Sequence, residues 1–469
     1  MWNRSRHLIA LLAAALLLCG ACSGGSKNDD KKQKSSKKDA GGKKDTGGSS
    51  GPTWQIETIE GGGWGKDLDL VVSPGGTVSV AYYSASGNRG EPCTEIGDMS
   101  PPKKVRWPLH FAQRKSGKWE IETVSKQLFV SAPPGLDLEI DPNGTPAIAS
   151  SIGEPLEMFG YCGANDAGIY SRMGKGNWSK TTVATSSSDV AVSKSGADFG
   201  EVVGNWPSLA YDSSGGTAVV YRDIHAGGRQ RDDFGLAALE IAVGGGGSWS
   251  HYSVDPYRGA GLGNTIIFDQ KDRPLVTYIL PEEGNVDNGL GIWIARSEDG
   301  GKTWTKNKIF NQGTNIPPAV AVDRDSGEIS VLYYNSRRGF PQLMSLEDPT
   351  RFDQLSSWKK KDIGNSRYDE GYDPSIAIGP NGMLHAVYYR CTKASSGLGD
   401  CKSNEDALVH AWSDGGFWER EVIDEGGDGL CGRVPALGFD SNNHPVVAYR
   451  CEEMVEGNLE TTVRFAVKK

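Results

Sequence analysis

The chain has 469 residues, of which 50 are Lys or Arg and 59 are Asp or Glu, so its formal net charge at pH 7 is −9. The first 52 residues hold ten of the basic and four of the acidic residues, which leaves 40 basic against 55 acidic residues and a net charge of −15 in the remainder. A body this acidic argues against nucleic acid as a partner, because phosphate binding needs a basic surface.

The N-terminal segment predicts export. Two arginines precede an apolar stretch from Leu8 to Leu18, which is too short to cross a bilayer and is typical of a signal peptide. The next residues, Cys19-Gly20-Ala21-Cys22, resemble a bacterial lipobox. That resemblance implies that residues 1–21 are removed, that Cys22 is lipidated and, with Ser23 beside it, that the protein is anchored in the outer membrane.

Residues 22–52 are predicted to be a disordered tether that begins at the lipidated cysteine. After Cys22 this segment contains mainly Lys, Ser, Gly and Asp, and no apolar residue larger than Ala40. Such a composition cannot bury enough surface to fold. Its Lys pairs either contact anionic lipid headgroups or are simply solvated, and we favour the solvated spacer.

From residue 53 onward one pattern occurs seven times: a short alternating strand, a tight turn with Asp, Gly, Pro or Asn, and a second strand that commonly ends in Tyr. The equivalent turn positions lie 54 to 71 residues apart, at Ser73, Asp141, Asp212, Asp269, Asp323, Gly379 and Asp440. This period fits one propeller blade per repeat. We therefore predict that residues 53–469 form an all-β, seven-bladed β-propeller of four-stranded antiparallel blades, with no second domain.

The two ends of this region are predicted to close the ring. The last repeat ends in TTVRFAVKK, which supplies a third strand but no fourth. Residues 53–60, TWQIETIE, resemble the fourth strand of the first repeat, KWEIETVS. The N-terminal strand is therefore expected to pair into the last blade, which would remove the open sheet edges that invite aggregation.

The segment SEDGGKTW matches the Asp-box, SxDxGxTW, of the BNR repeat family through Ser297, Asp299, Gly301, Thr303 and Trp304. The chain thus resembles the sialidase-like β-propellers. In such a turn the Asp accepts amide hydrogens while the Trp covers the hairpin. The resemblance therefore implies a fold and a structural role for the box, away from any active face.

Six cysteines follow the lipobox, and the repeat pattern places all of them in loops at one end of the blades: Cys93, Cys162, Cys391, Cys401, Cys431 and Cys451. An even number in an exported chain predicts disulfides. The blade positions favour Cys391 with Cys401, Cys431 with Cys451 and Cys93 with Cys162. A metal site is not predicted, since these six cysteines form no CxxC and no His is close to them in the sequence.

We call the end of the blades that carries these cysteines the loop face, and we expect it to carry the function. Long loops on a rigid scaffold are where binding residues usually lie. The predicted long loops are residues 84–106, 127–134, 186–205, 223–233 and 392–406. Their aromatic residues could form platforms for a sugar or a peptide: Trp64, Trp206, Tyr257, Tyr368 and Tyr372.

Three arginines, Arg222, Arg390 and Arg450, follow the strand-ending Tyr and are predicted by repeat equivalence to surround the channel mouth. Sialidases bind a carboxylate with an arginine triad, so the resemblance implies an anion site. The chain departs from that family in its seven blades and in lacking a FRIP-type segment. The alternative is that the arginines pair with nearby carboxylates, at Asp223, Glu452 and Glu453.

Two further groups are candidates for chemistry. Asp223 with His225 could supply an acid and a base, if the fold brings them together. The acidic groups Asp369, Glu370 and Asp373, and Asp424, Glu425 and Asp428, offer the oxygen ligands of calcium without the spacing of a known calcium loop. No cofactor is therefore predicted beyond this weak calcium possibility, and His385 and His444 are interpreted as packing residues.

The sequence thus predicts a cell-envelope lipoprotein whose propeller displays a disulfide-tied loop face for binding a protein or a glycan. Two alternatives stay open: a sialidase-like glycoside hydrolase that uses the arginines and loop carboxylates, and a structural scaffold in an envelope complex. No catalytic residue is assigned, and binding is favoured over catalysis.

Overall fold

Seven antiparallel sheets form the blades of a closed ring, as the repeats predict. The computed structural model describes residues 53–61, 67–84, 91–92, 103–130, 135–153, 164–186, 202–224, 237–256, 259–281, 290–427, 429–455 and 458–469. The first strand of each repeat is innermost and contacts the first strands of both neighbouring blades. The seven-bladed β-propeller prediction is therefore confirmed.

The first four blades follow the chain from the channel outward. Blade 1 contains β2 (Leu68–Val72), β3 (Val78–Tyr83), β5 (Lys103–Lys115) and β6 (Lys118–Val130), with the short β4 (Glu91–Pro92) paired to β5. Blade 2 contains β7 (Leu136–Ile140), β8 (Pro146–Ile152), β9 (Asp166–Gly174) and β10 (Asn177–Ala184). Blade 3 contains β11 (Val202–Tyr211), β12 (Thr217–Ile224), β13 (Ala238–Gly245) and β14 (Ser248–Asp255). Blade 4 contains β15 (Leu262–Phe268), β16 (Pro274–Leu280), β17 (Gly291–Arg296) and β18 (Thr305–Phe310).

The remaining blades continue in the same order. Blade 5 contains β19 (Ala319–Val322), β20 (Ile329–Asn335), β21 (Phe340–Leu346) and β22 (Lys359–Asp362). Blade 6 contains β23 (Tyr368–Ile378), β24 (Leu384–Lys393), β25 (Ala407–Ser413) and β26 (Glu419–Glu425). Blade 7 contains β27 (Leu430–Phe439), β28 (Pro445–Val455), β29 (Asn458–Lys468) and, as its outermost strand, β1 (Trp54–Gly61). Strands of blades 1 to 3 and of blade 6 extend a few residues into the segments predicted to be loops.

Packing between neighbouring blades forms the core. The second strands β3, β8 and β16 are buried at every residue because both of their faces are covered by adjacent blades. The outermost strands β10 and β26 retain several exposed residues. The apolar clusters accordingly lie between successive blades, as the one that joins β2 and β3 of blade 1 to β27, β28 and β1 of blade 7.

The repeated aspartates stabilise the turns between the first and second strands. Asp141 Oδ1 accepts the amide hydrogens of Asn143 and Thr145, at 2.9 and 2.7 Å. Asp212, Asp269 and Asp440 accept the amides two and four residues ahead in the same way. These short turns lie at the end of the blades opposite the loop face, which we call the turn face. The repeat is therefore visible in the sequence because each turn needs the same acceptor.

A further repeated contact joins the inner strands around the channel. Asp69 Oδ2 accepts the amide of Leu138 at 2.8 Å, and Asp137 Oδ2 accepts the amide of Leu209 at 2.8 Å. Ser208 and Ser375 use their hydroxyls at the equivalent position of their blades. Burial and the neighbouring Asp137 raise the pKa of Asp69 well above its ordinary value, so the protonated Asp69 can donate to Asp137.

The turn from Ser297 to Trp304 is held by its own side chains. Asp299 Oδ1 accepts the amides of Lys302 and Thr303, at 3.1 and 2.8 Å. The amide and hydroxyl of Thr303, with the hydroxyl of Ser297, lower the pKa of Asp299 to about 2. Ser297 Oγ accepts the amide of Gly301 at 2.7 Å. Trp304 donates to the carbonyl of Gly301 and packs against the cluster between blades 3 and 4.

Blade 5 differs from the predicted repeat. Its second and third strands are joined by the tight turn from Asn335 to Phe340, whereas its third and fourth strands are joined by a longer segment with short 3-10 helices at Pro349–Arg351 and Leu355–Ser357. The longer segment folds inward because Phe352 and Trp358 are buried between blades 4 and 5. The third and fourth strands of blade 5 are therefore joined by an apolar plug instead of a tight turn.

The ring closes as predicted. β1 pairs antiparallel with β29 from Trp54 opposite Lys468 to Gly61 opposite Thr462. The strand also contacts both neighbouring blades. Glu57 accepts hydrogen bonds from Arg114 and Trp119 of blade 1 at 2.7 and 2.8 Å, and Trp54 donates to Glu421 of blade 6 at 3.0 Å. Within the described residues, no helix combines the length and the apolar character that a membrane span requires.

Removing β1 is expected to destabilise the whole ring. A variant that begins at Gly62 would leave the outer edge of β29 without a partner and would lose Ile59 from the cluster between blades 7 and 1. We expect a lower midpoint of thermal unfolding and concentration-dependent association in size-exclusion chromatography. A variant that begins at Thr53 keeps β1 and is the matched control, for which the wild-type midpoint is expected. A monomeric Gly62 variant with the wild-type midpoint would contradict ring closure as the source of stability.

Candidate functional site

Two predicted disulfides are present on the loop face. Cys391 on β24 bonds to Cys401 across the short 3-10 turn at Ala394–Ser396, and Cys431 bonds to Cys451, which lies directly opposite it on the neighbouring strand. Both bridges lie in blades 6 and 7, close to the starts of the inner strands. The third predicted bridge, Cys93 with Cys162, lies outside the described residues and stays a prediction.

Strand register separates the three candidate arginines. Val220 pairs with Ser208, Val387 with Ser375 and Ala448 with Ala436, so the equivalent tyrosines are Tyr221, Tyr388 and Tyr449. Arg222 and Arg450 follow directly, but in blade 6 Tyr389 holds that position and Arg390 comes one residue later. Because successive side chains of a strand alternate between its faces, Arg390 is not equivalent to the other two.

Arg222 is buried in blade 3 and supports the chain that leads into blade 4. Only 2% of it is exposed, and it donates to the carbonyls of Ala260 and Gly259 at 3.2 and 3.0 Å. Its guanidinium lies 5.7 Å from the centre of the Trp206 ring. Asp223 is fully buried beside it, and its charge adds to burial in raising the pKa of Glu240.

Arg390 and Arg450 lie in separate contacts. The Nε of Arg390 donates to the carbonyl of Glu405 at 3.2 Å, and its guanidinium lies 4.7 Å from the centre of the Tyr368 ring. Arg450 forms an ion pair with Glu452, which was one of the predicted carboxylate partners. Two blades separate blade 3 from blade 6 in one direction around the ring, and two separate it from blade 7 in the other. The fold therefore brings Arg390 and Tyr368 together but does not assemble an arginine triad.

A different group of side chains meets at the channel mouth between blades 5, 6 and 7. We call Tyr334, Tyr372, Asp373, Tyr389 and Arg433 the mouth cluster. Arg433 Nε donates to Asp373 Oδ2 at 3.1 Å, and its guanidinium lies 5.0 Å from the Tyr389 ring centre. The rings of Tyr334 and Tyr372 are 4.4 Å apart, and those of Tyr372 and Tyr389 are 6.5 Å apart. Tyr372, Asp373 and Arg433 are partly exposed, so they present one surface.

The mouth cluster is rigid because a buried carboxylate fixes its tyrosines. Asp369 is fully buried and accepts the hydroxyls of Tyr334 and Tyr372, at 2.8 and 2.9 Å, and the amide of Gly399. Burial is the main cause that raises the pKa of Tyr334 and of Tyr372, so both phenols stay protonated near neutral pH. Their hydroxyls act as fixed hydrogen-bond partners.

Residues at bulges within several inner strands, and at the equivalent positions of other blades, adopt the left-handed backbone conformation. Trp206, Asp373 and Val434 have φ of 47°, 48° and 48°, and each precedes a proline. Gly135 and Gly263 hold the equivalent positions of blades 2 and 4 with φ of 100° and 54°. A residue other than glycine costs about 1–2 kcal/mol in this conformation. The side chains at the channel mouth are therefore held at a cost in strain that glycine would avoid.

Several carboxylates proposed as calcium ligands instead pair with arginine or tyrosine side chains. Glu370 is paired with Arg420 at 2.6 Å, and Asp373 with Arg433. Asp424 accepts from Tyr449 and Arg464, while Asp428 lies outside the described residues. Among the described side chains, the one close group of three His, Cys, Asp or Glu ligand atoms is Cys431, Cys451 and Glu453, whose two cysteines form a disulfide.

Several predicted residues fall outside the described parts of the chain: Cys22, Trp64, His225 and Tyr257. Of the mouth cluster, the sequence singled out Tyr372 as an aromatic loop residue and Asp373 as a candidate calcium ligand, but not Tyr334, Tyr389 or Arg433. Arg433 could have been noticed, because the Val-Pro-Ala, Asp-Pro-Ser and Trp-Pro-Ser tripeptides occupy the same place before the inner strand in three repeats.

Asp406 is a buried carboxyl beneath the loop face. It is 2% exposed, and its Oδ2 accepts the amide of Cys431 at 2.7 Å. Its Oδ1 has no hydrogen-bond partner among the described residues. Burial raises the pKa of Asp406 to about 7, so this group changes charge in the neutral range without being accessible to a ligand.

The chain was also compared with known proteins. It matches no protein-family model and no curated protein sequence. Among solved structures, it is similar to the polysaccharide lyase Uly1, with 10% identity, 86% of this chain and 89% of that chain covered, and a TM-score of 0.47. It is also similar to a NanB sialidase mutant from Streptococcus pneumoniae (11% identity, coverage of 90% and 71%, TM-score 0.44) and to an α-L-arabinanase from Penicillium chrysogenum (13%, 88% and 98%, TM-score 0.42). At these values the similarity carries no conclusion about activity.

The raised pKa of Asp406 predicts a specific loss of stability with pH. A carboxyl that binds its proton more tightly when folded stabilises the protein below its unfolded pKa of about 3.9 and loses that contribution as pH rises through the folded value. We therefore expect Asp406→Asn to match wild type near pH 4 and to be more stable by about 2–4 kcal/mol at pH 8 in urea unfolding. Equal wild-type and variant stabilities at both pH values would show that Asp406 titrates normally.

Proposed function

We propose that this protein is an exported recognition module that binds a glycan at the mouth cluster on its loop face. The observation that carries the proposal is the placement of Tyr372, Asp373 and Arg433 at bulges within the adjacent inner strands β23 and β27, partly exposed and fixed by internal contacts. A sugar offers hydroxyls that both donate and accept, together with an apolar ring face. A carboxylate, a guanidinium and a phenol side by side match these groups.

The charges of the mouth cluster favour a neutral ligand. The side chains of Arg433 and Asp373 are 27% and 22% exposed and form an ion pair with each other. An anionic ligand would have to compete with Asp373 for the guanidinium. A neutral hydroxyl can instead be added to the pair, because both described contacts of Asp373 use Oδ2 and leave acceptor capacity on Oδ1.

Rigidity also favours binding at this place. The Cys431–Cys451 bridge lies two residues before Arg433, and Asp373 Oδ2 additionally accepts the amide of Val434 at 3.3 Å. Groups that are already ordered lose little entropy when a ligand binds. The strained backbone at Asp373 and Val434 fits the same interpretation, since such strain commonly lies at binding sites.

Glycoside hydrolysis is less well supported by the described residues of the mouth. A hydrolase needs an accessible acid and a second carboxylate or nucleophile beside the substrate. Asp369 and Asp406 are buried, Glu370 is paired with Arg420, and the raised pKa of Tyr372 makes it a weak nucleophile. Asp373 is the partly exposed carboxylate of the mouth cluster, and it is held by Arg433.

Substitution in the mouth cluster is expected to abolish glycan capture without unfolding the propeller. Arg433→Ala and Tyr372→Ala should weaken the best ligand found on a glycan array by at least about tenfold in titration calorimetry, because each removes a hydrogen-bonding group from the site. Arg338→Ala is the matched control, since Arg338 is also a partly exposed arginine in an ion pair, with Asp362 at 2.8 Å in blade 5.

The outcomes separate binding from catalysis. Unchanged affinity in both mouth variants would overturn the proposed site. Turnover of aryl glycosides that is present in wild type and absent in these variants would instead show a hydrolase. Binding that is lost equally in Arg338→Ala would indicate a general effect of removing charge from the loop face.

We also propose that the propeller is attached to the cell envelope through a lipid on Cys22, with residues 23–52 as its tether. The basis is the lipobox-like sequence before Cys22. In a bacterial host, wild-type protein is expected in the membrane fraction and Cys22→Ala in the soluble fraction. Cys19→Ala changes the neighbouring cysteine and should remain with the membrane. Membrane retention of Cys22→Ala would exclude this anchor.

A further inference from the structure

A cavity of about 380 Å³ lies on the turn face, between the short turns of blades 6 and 7 and far from the mouth cluster along the blades. Its wall is mainly apolar, with Met383, Phe439 and Pro445 among the lining residues. The polar groups in the wall include His385, His410 and Lys468. Both histidines are buried, with 7% and 1% of their surface exposed.

The two histidines form a directed hydrogen-bond chain. Glu421 Oε1 lies 2.9 Å from His410 Nδ1, and His410 Nε2 lies 2.9 Å from His385 Nδ1. Burial alone would raise the pKa of Glu421, but hydrogen bonds from His410 and Lys468 outweigh it and lower that pKa to about 2. Glu421 is therefore ionised and can only accept, so His410 Nδ1 must donate to it.

The direction of this chain determines the tautomer of His385. Burial lowers the pKa of His410 and lowers that of His385 to about 4, so both rings are neutral near pH 7. A neutral imidazole has one donor and one acceptor. Since His410 donates through Nδ1, its Nε2 accepts from His385 Nδ1, and His385 Nε2 carries a lone pair.

The lone pair of His385 is buried without a partner at the cavity. Within the described residues, His385 Nε2 has no hydrogen-bond partner although it is buried. Blade 6 has Gly379 where most other blades have the turn-capping Asp, and a Cβ added to Gly379 would lie 3.2 Å from this nitrogen. A buried acceptor left unsatisfied costs about 1–3 kcal/mol, so a ligand that satisfies it gains affinity.

Lys468 supplies the complementary donor. Its ammonium donates to Glu421 Oε1 at 2.8 Å and lies 4.5 Å from the centre of the Trp412 ring. An ammonium has three hydrogens, so one such bond leaves donor capacity. The Lys468–Glu421 pair is neutral overall, and both histidines are uncharged. The cavity therefore suits an uncharged group that donates to His385 and accepts from Lys468.

We propose that this cavity binds a neutral alcohol with an apolar body, whose hydroxyl donates to His385 Nε2 and accepts from Lys468. A hydroxyl is the simplest group that performs both tasks at one oxygen. The apolar lining contacts the rest of the ligand. This site is independent of the proposed glycan site, because it shares no residue with the mouth cluster and lies at the opposite end of the blades.

The test uses cyclohexanol and cyclohexanone, which match in size but differ in that only the alcohol can donate to His385. Long-range ¹H–¹⁵N spectra of the full-length protein labelled on histidine report the protonation of each ring nitrogen. We expect His385 Nε2 to be unprotonated in the free protein and to shift saturably with cyclohexanol. Cyclohexanone should bind at least about tenfold more weakly, because it leaves the buried acceptor unsatisfied.

A variant separates the cavity from general solvent effects. Met383→Trp fills the cavity from its partly exposed wall without touching the hydrogen-bond chain, and it should abolish the shift. Met173→Trp, at a methionine that is 67% exposed on another blade, should leave the shift unchanged. A protonated His385 Nε2 in the free protein, no saturable shift, equal affinity for the ketone or a full response in Met383→Trp would each overturn the proposal.

Discussion

Pairing between the two ends of the folded region is the contact on which the rest of this structure depends. β1 and β29 pair in blade 7, so the first and last described strands complete one four-stranded sheet. Blade 7 can therefore pack against both of its neighbours. We call this paired β1–β29 edge the seam, and its side chains also form hydrogen bonds to the neighbouring blades. Glu57 joins it to Arg114 and Trp119 of blade 1, while Trp54 and Lys468 both donate to Glu421 of blade 6. Because every blade packs against two others, closing this seam sets the spacing around the whole ring.

The two ends of the blades use polar groups in different ways. On the turn face, the carboxylates of the repeated aspartates accept hydrogen bonds from the amides of their own short turns. Blade 6 is an exception, since Gly379 replaces the turn-capping Asp and the freed space adjoins the buried His385. On the loop face, strained bulges in the inner strands and disulfides hold charged and aromatic side chains in place. A turn that keeps its capping aspartate has its amides satisfied within the fold. A turn or strand segment that departs from the repeat can instead present polar groups to a ligand.

Candidate residues therefore differ in how much of their chemistry is already in use. Arg222 is buried and committed to backbone carbonyls, and Arg450 is paired with Glu452. Arg433 was not selected from the sequence, yet it is partly exposed beside Tyr372 and Asp373 at the channel mouth. Arginines at similar places in the repeated sequence thus have different partners in the structure. What separates them is burial and the register of the strand that carries them, because one residue of displacement moves a side chain to the opposite face of its sheet.

The amino-acid sequence by itself determined the blade number, the ring closure, the aspartate-capped turns and two of the disulfides. These features are local or repeated: a turn needs its acceptor within a few residues, and seven similar segments must pack alike. Only the tertiary structure decided that Arg390 is not equivalent in strand register to Arg222. It also decided that an apolar plug joins the outer two strands of blade 5, and that His385 and His410 line a cavity. Those outcomes depend on bulges that shift strand register and on contacts between residues far apart in the chain, such as Glu421 with Trp54. Bulges and long-range contacts of this kind cannot be predicted from the residue types of one segment.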